Sequence, residues 1–188
     1  MKTFASLLVF GLTTTQFALA AIPMGSFKVI DAYCSNPQYV NTPEEQDYID
    51  TLKGIKGSCI DGKFTSPPCF EDYYVFTTAT TGSFVTRSSF MPGVACVTTT
   101  EMTYSENPPG VLEMLLGKST GHSESNDPNT SISCDGGGES GETSRASYHY
   151  KVDGEFLLLI MPGPAGSGST TDCGDYVFKA KSVTDFPK

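Results

Sequence analysis

Residues 145–161 read RASYHYKVDGEFLLLIM, and this stretch decides the fold class. Ala146, Tyr148, Tyr150 and Val152 alternate with Arg145, Ser147, His149 and Lys151. A period of two, apolar against polar, marks a strand with one buried and one wet face. Asp153-Gly154 is a two-residue hairpin signal, because glycine reaches positive φ without steric cost. The chain then returns through Glu155 to Met161, an almost wholly apolar run that suits a central or doubly covered strand. Two strands joined this tightly are antiparallel.

The flanking sequence repeats the theme. Ser26 to Tyr33, Phe70 to Thr80, Ser83 to Phe90 and Val94 to Tyr104 are rich in aromatic and β-branched residues. Thr81-Gly82, Pro92-Gly93 and Asn107-Pro108-Pro109-Gly110 separate them as turns. Val111 to Leu116 is helix-prone in composition but short and fenced by Pro and Gly, and it reads as a further strand. Gly174 to Ser182 alternates Tyr176, Phe178 and Ala180 with Asp175, Lys179 and Lys181, giving the last strand. Residues 117–144 are dense in Gly, Ser, Asn, Asp and Glu and predict a long polar surface loop. One helix is predicted. Thr42, Pro43 and Glu45 form a capping box with proline at the first helical position, Tyr48, Ile49 and Leu52 fall on one face, and Gly54 ends it.

The elements add up to an all-β fold: an antiparallel up-and-down β-barrel of about eight strands with a short N-terminal helix. A β-sandwich is the alternative. Closing the sheet removes the exposed edges that invite aggregation.

Met1 to Ala20 has the features of a signal peptide: Lys2, an apolar run from Phe4 to Leu12, and Ala18-Leu19-Ala20 before the cut. Residues 21–188 are then a single secreted domain. Its six cysteines, Cys34, Cys59, Cys69, Cys96, Cys134 and Cys173, are even in number and lack C-x-x-C spacing. They predict three structural disulfides, with the pairing open, rather than a metal site. Asn129-Thr130-Ser131 is a glycosylation sequon in the polar loop. The formal charge is −9 with lysine and arginine scattered singly, which argues against nucleic acid and anionic membrane surfaces as partners.

No nucleophile elbow, zinc-protease helix or phosphate loop is present, and the two histidines, His122 and His149, lie in a polar loop and on a wet strand face. Glu71, Asp72, Glu101 and Glu113 sit singly on strands, where exposure is the default for a carboxylate. The chain therefore reads as a binding protein, not an enzyme, with no cofactor or metal. Alternate aromatics are expected to converge inside the barrel: Phe70, Tyr74 and Phe76; Met102 and Tyr104; Tyr148 and Tyr150; Phe156, Leu158 and Ile160; and Tyr176 and Phe178. They either fill an ordinary core or line a ligand cavity on the order of several hundred Å3.

An aromatic strand (Tyr73-Tyr74-Val75-Phe76), a strand opening Ala95-Cys96-Val97 and a hairpin series ending Asp175-Tyr176-Val177-Phe178, all after an N-terminal helix, resemble the divergent secreted lipocalins, the arthropod salivary ones most closely. The resemblance implies an up-and-down barrel carrying or scavenging a small hydrophobic molecule or a biogenic amine, the latter suited by the acidic composition. The competing expectation is an extracellular module that binds a protein partner.

Overall fold

The computed structural model describes residues 21–55, 69–91, 93–125, 129, 132–134, 144–163 and 172–185. The expected signal peptide and Cys59 lie outside them. Eight antiparallel strands close into one barrel in chain order. They are β1 (Gly25–Cys34), β2 (Cys69–Phe76), β3 (Thr81–Met91), β4 (Val94–Glu106), β5 (Val111–Ser125), β6 (Ser144–Asp153), β7 (Phe156–Met161) and β8 (Tyr176–Val183). β8 pairs back onto β1 along eight residue pairs, so the ring is continuous and the sandwich alternative falls. The helix α1 (Pro43–Leu52) lies between β1 and β2 and packs on those two strands.

α1 starts as its sequence dictates. The Thr42 side chain accepts from the Glu45 backbone N–H at 3.3 Å, and the Glu45 carboxylate accepts from the Thr42 N–H at 2.7 Å. Gly54, at φ +72°, ends it. The helix marks one end of the barrel, here called the helix end. The β2–β3, β4–β5 and β6–β7 turns mark the other, the turn end.

Two expectations need correction. β5 continues to Ser125, so residues 117–125 are strand and not loop. Their polar side chains hid this, because a ladder needs only backbone partners: Thr99 pairs with Thr120, Thr98 with Gly121 and Val97 with His122. The barrel wall is also polar here, with the Thr100 and Ser119 hydroxyls 2.8 Å apart.

The second correction concerns β7. Leu157 and Leu159 are fully buried in the core, while on the other face Phe156 stands between Asp153 and Lys181 and Leu158 between Lys151 and Lys179. Directly opposed residues in an antiparallel pair share a face. A two-residue turn pairs an even-numbered residue with an odd one, so inward Tyr150 and Val152 bring in Leu159 and Leu157. Parity therefore reverses across the Gly154 turn, and Ile160 also faces away from the core. The Lys179 ammonium lies 4.2 Å from the centre of the Phe156 ring. Leu159→Ala should cost about 2–5 kcal/mol and Leu158→Ala about 1 kcal/mol or less. Urea unfolding of the two variants checks this, and equal losses would refute the facing.

Toward the turn end the interior is filled by an aromatic cluster. Phe76 meets Phe27 and Tyr104 edge to face at centroid distances of 6.0 and 5.1 Å. Met102, Leu112, Leu157 and Leu159 fill the space around them. The Tyr104 hydroxyl donates to the Thr78 carbonyl, and the Tyr150 hydroxyl donates to Glu106 at 2.8 Å. These bonds let buried rings keep their polar ends satisfied.

The outer wall carries a second buried cluster, Tyr73, Val85 and Val97, beside an ion-pair chain. Glu71 accepts from Lys28 at 2.7 Å and from Arg87 at 2.8 Å, and Arg87 reaches Glu124 at 2.9 Å. Burial pushes the Glu71 carboxyl up, but the bonds from Lys28 and Arg87 outweigh it and hold the group below its usual range. Its stabilisation is therefore complete above the unfolded carboxyl pKa and is lost as pH falls through the lower folded value. Glu71→Gln should cost about 2 kcal/mol at pH 7, since it strands a partly buried cation, and much less near pH 3. Denaturant unfolding at the two pH values reads the difference, and a cost independent of pH would contradict the assignment.

Candidate functional site: a polar pocket at the helix end of the barrel

β2 sets the site. Its successive side chains point to opposite faces, so Glu71 and Tyr73 serve the outer wall while Asp72, Tyr74 and Phe76 turn inward. Asp72 is held from two sides. The Tyr48 hydroxyl, projecting from α1, donates to one carboxylate oxygen at 2.7 Å. Thr86, directly opposite on β3, donates to the other at 3.0 Å. Both donors are neutral, and among the described residues no cation pairs with Asp72. Burial pushes its carboxyl above the usual aspartate value, against the two hydrogen bonds. A buried carboxylate without a counter-ion is costly to keep charged.

Two positions along β2, Tyr74 lines a cavity of about 90 Å3 together with Phe84, Met114, Leu116, Ala146 and Tyr148. Tyr74 and Phe84 pack at 5.1 Å. Tyr148 meets Phe178 edge to face at 6.3 Å, and Phe178 meets Tyr176 at 4.9 Å. Burial raises the Tyr74 hydroxyl well above an ordinary phenol, with the nearby Tyr148 hydroxyl and the Asp72 charge adding to it. Burial raises Tyr48 in the same way, followed by the charge of Asp72. These phenols stay protonated and act as donors. Ile49 and Leu52 of α1 are buried in the same core and close this end.

Of the residues expected to line a ligand cavity, the structure brings only Tyr74 and Tyr148 to it. Phe76, Met102, Tyr104 and Tyr150 belong to the packed core. Tyr176 and Phe178 pack against that core beside Tyr148, and Phe156 and Leu158 lie on the opposite face of the wall. Among the described residues this cavity is smaller than the several hundred Å3 expected, because Phe76, Met102 and Tyr104 fill the space toward the turn end. Sequence reasoning missed Asp72, Tyr48, Thr86, Phe84, Met114, Leu116 and Ala146. Asp72 had a signal, since it shares parity with Tyr74 and Phe76 in an alternating strand. Glu71 and Asp72 were both expected to be exposed, yet Glu71 is 7% exposed and Asp72 is held inside the wall. Lying on opposite faces, they do not form one catalytic pair. His149 is exposed, and His122 is exposed 4.0 Å from Glu124 on the outer wall.

Disulfides frame the helix end. Cys34 pairs with Cys173 and Cys96 with Cys134, and Cys69 is also bonded, to a partner outside the described residues. Among the described residues no helix is long and apolar enough to cross a membrane. Disulfides of this kind suit an oxidising, extracellular setting.

Comparison with protein-family models, curated proteins and solved structures finds no match for this chain.

Proposed function

We propose that this protein is a secreted carrier or scavenger that takes a small amine into the helix end of its barrel. The observation that carries the reading is Asp72: a half-buried carboxylate, without a cation among the described residues, two positions along β2 from Tyr74, which lines an aromatic cavity. An ammonium group would supply the missing charge, and the cavity would hold the ligand's apolar part. About 90 Å3 is less than the roughly 150 Å3 that holds a benzene ring comfortably. The ligand is therefore compact, an alkyl amine or a single ring after small side-chain shifts, and not a lipid tail. To reach Asp72 its ammonium takes the place of the Tyr48 hydroxyl. The sequence resemblance to salivary lipocalins, the predicted signal peptide and the exposed Asn129 all fit this extracellular role.

Isothermal titration of the mature chain with phenethylamine, and with phenethyl alcohol as its neutral counterpart, tests the proposal. The amine should bind at least about tenfold tighter, as expected for one charge-assisted hydrogen bond in a dry site. Equal affinity, or no binding by either, would sink it.

A further inference from the structure

A second feature lies on the outside of the barrel, separated from the first by the sheet itself. A groove of about 260 Å3 crosses the outward face of β4, β5 and β6 near the turn end. It is the larger of the two cavities described. Its floor is a transverse row. Thr81 pairs with Thr103, Thr103 with Leu115, and Leu115 with Arg145. One step along, Glu113 stands opposite Ser105 on one side and Ser147 on the other. These residues face out because Met102, Tyr104, Leu112 and Met114 between them face the core.

Glu113 and Arg145 are diagonal neighbours on adjacent strands, which places their Cα atoms about 7–8 Å apart. Side chains of that length at that spacing readily form an ion pair. Yet neither makes one, with the other or with any described residue. Two opposite charges thus stand unpaired on one groove, and Leu115 between them is 38% exposed.

We infer that this groove is a site for a zwitterion carrying an ammonium and a carboxylate on one carbon, as a free α-amino acid does, with an apolar side chain. The Glu113 carboxylate accepts from the ammonium. The Arg145 guanidinium donates to the carboxylate in the planar, two-pronged geometry that arginine offers. The Thr103 hydroxyl serves either end, and Leu115 receives the side chain. A simple cation satisfies only Glu113, a simple anion only Arg145, and a neutral polyol neither charge. Only a ligand with both signs a few ångströms apart answers both.

The test uses the full mature chain and L-leucine, with two analogues that each lose one charge: isopentylamine and 4-methylpentanoate. Binding is followed by amide chemical shifts and by calorimetry. Leucine should bind saturably and shift resonances along β4, β5 and β6, and in the Asp72→Asn chain, where the barrel site is disabled, each analogue should bind at least about tenfold more weakly than leucine. Glu113→Gln and Arg145→Gln should each weaken leucine by about tenfold or more, while Asp72→Asn leaves it unchanged. The inference is overturned if leucine does not bind saturably, if either analogue matches it in the Asp72→Asn chain, or if the groove variants bind like the native chain. Loss of leucine binding in Asp72→Asn would also overturn it, by moving the ligand to the barrel interior.

Discussion

Asp72→Asn should weaken binding of a small amine to the barrel by roughly 10- to 100-fold, the worth of a hydrogen bond to a charged partner in a buried site. Asparagine keeps the shape of the side chain and still accepts from Tyr48, so the fold should survive. It should even be slightly favoured at neutral pH. Asp72 has its carboxyl raised by burial, so the folded state prefers it protonated. Its contribution to stability is complete below the unfolded pKa and declines as pH rises through the higher folded value. Asparagine, being neutral, escapes that decline. Amine binding has the opposite dependence, since it needs the ionised form. Affinity should fall on acidification with a midpoint above that of an ordinary aspartate, and the variant should lose that pH dependence. Tyr48→Phe separates the roles further, because it removes the hydroxyl that the amine must displace. Calorimetry of both variants across pH 4 to 8 would measure these effects, and a pH-independent affinity in the native chain would count against Asp72 as the anchor.

The largest expected loss of stability comes from opening the Cys34–Cys173 disulfide. Its residues are 139 apart in sequence, and a crosslink closing a loop of that size restricts the unfolded chain by about 4–5 kcal/mol. It also sits at the seam where the barrel closes. Beside it the Ser35 N–H donates to the Asp175 carbonyl at 2.8 Å, and the Asn36 N–H donates to the Cys173 carbonyl at 3.1 Å. The Asn36 side chain donates to the Asp172 carbonyl at 2.8 Å, and the Asp175 N–H donates to the Ser35 hydroxyl at 2.8 Å. Freed of the crosslink, these bonds and the β1–β8 ladder must hold the seam without covalent help. The double variant Cys34→Ser, Cys173→Ser should therefore lose about 3–5 kcal/mol. Opening Cys96–Cys134, whose residues are 38 apart, should cost less, because its loop is shorter and its bond does not join the closing strands. Thermal unfolding of the two double variants should preserve that order.

The two predictions rest on features of different legibility. The cysteines were plain in the sequence, but their partners were not, because pairing is decided by which chain ends the closed ring brings within bonding distance. Asp72 was legible only in part. In FEDYYVF its parity matched Tyr74 and Phe76, yet Glu71 beside it looked equally exposed. Both are sheltered, for opposite reasons: one by α1 and β3 inside the wall, the other by Lys28 and Arg87 outside it.

What the sequence determined alone was local. The capping box of Thr42 and Glu45, the turn at Gly154 and the alternation in β6 depend on residues within a few positions of one another, so their geometry follows from backbone sterics and side-chain spacing. What only the tertiary structure decided was everything that depends on closure. Register across each turn set which face of β7 is inside, pairing of β8 with β1 made an interior at all, and the packed rings left a cavity of about 90 Å3 among the described residues. A strand's alternation states that its two faces differ. Which face meets the core is settled by the strand it pairs with, and how much room remains there by side chains from all around the ring, β1 and β8 among them.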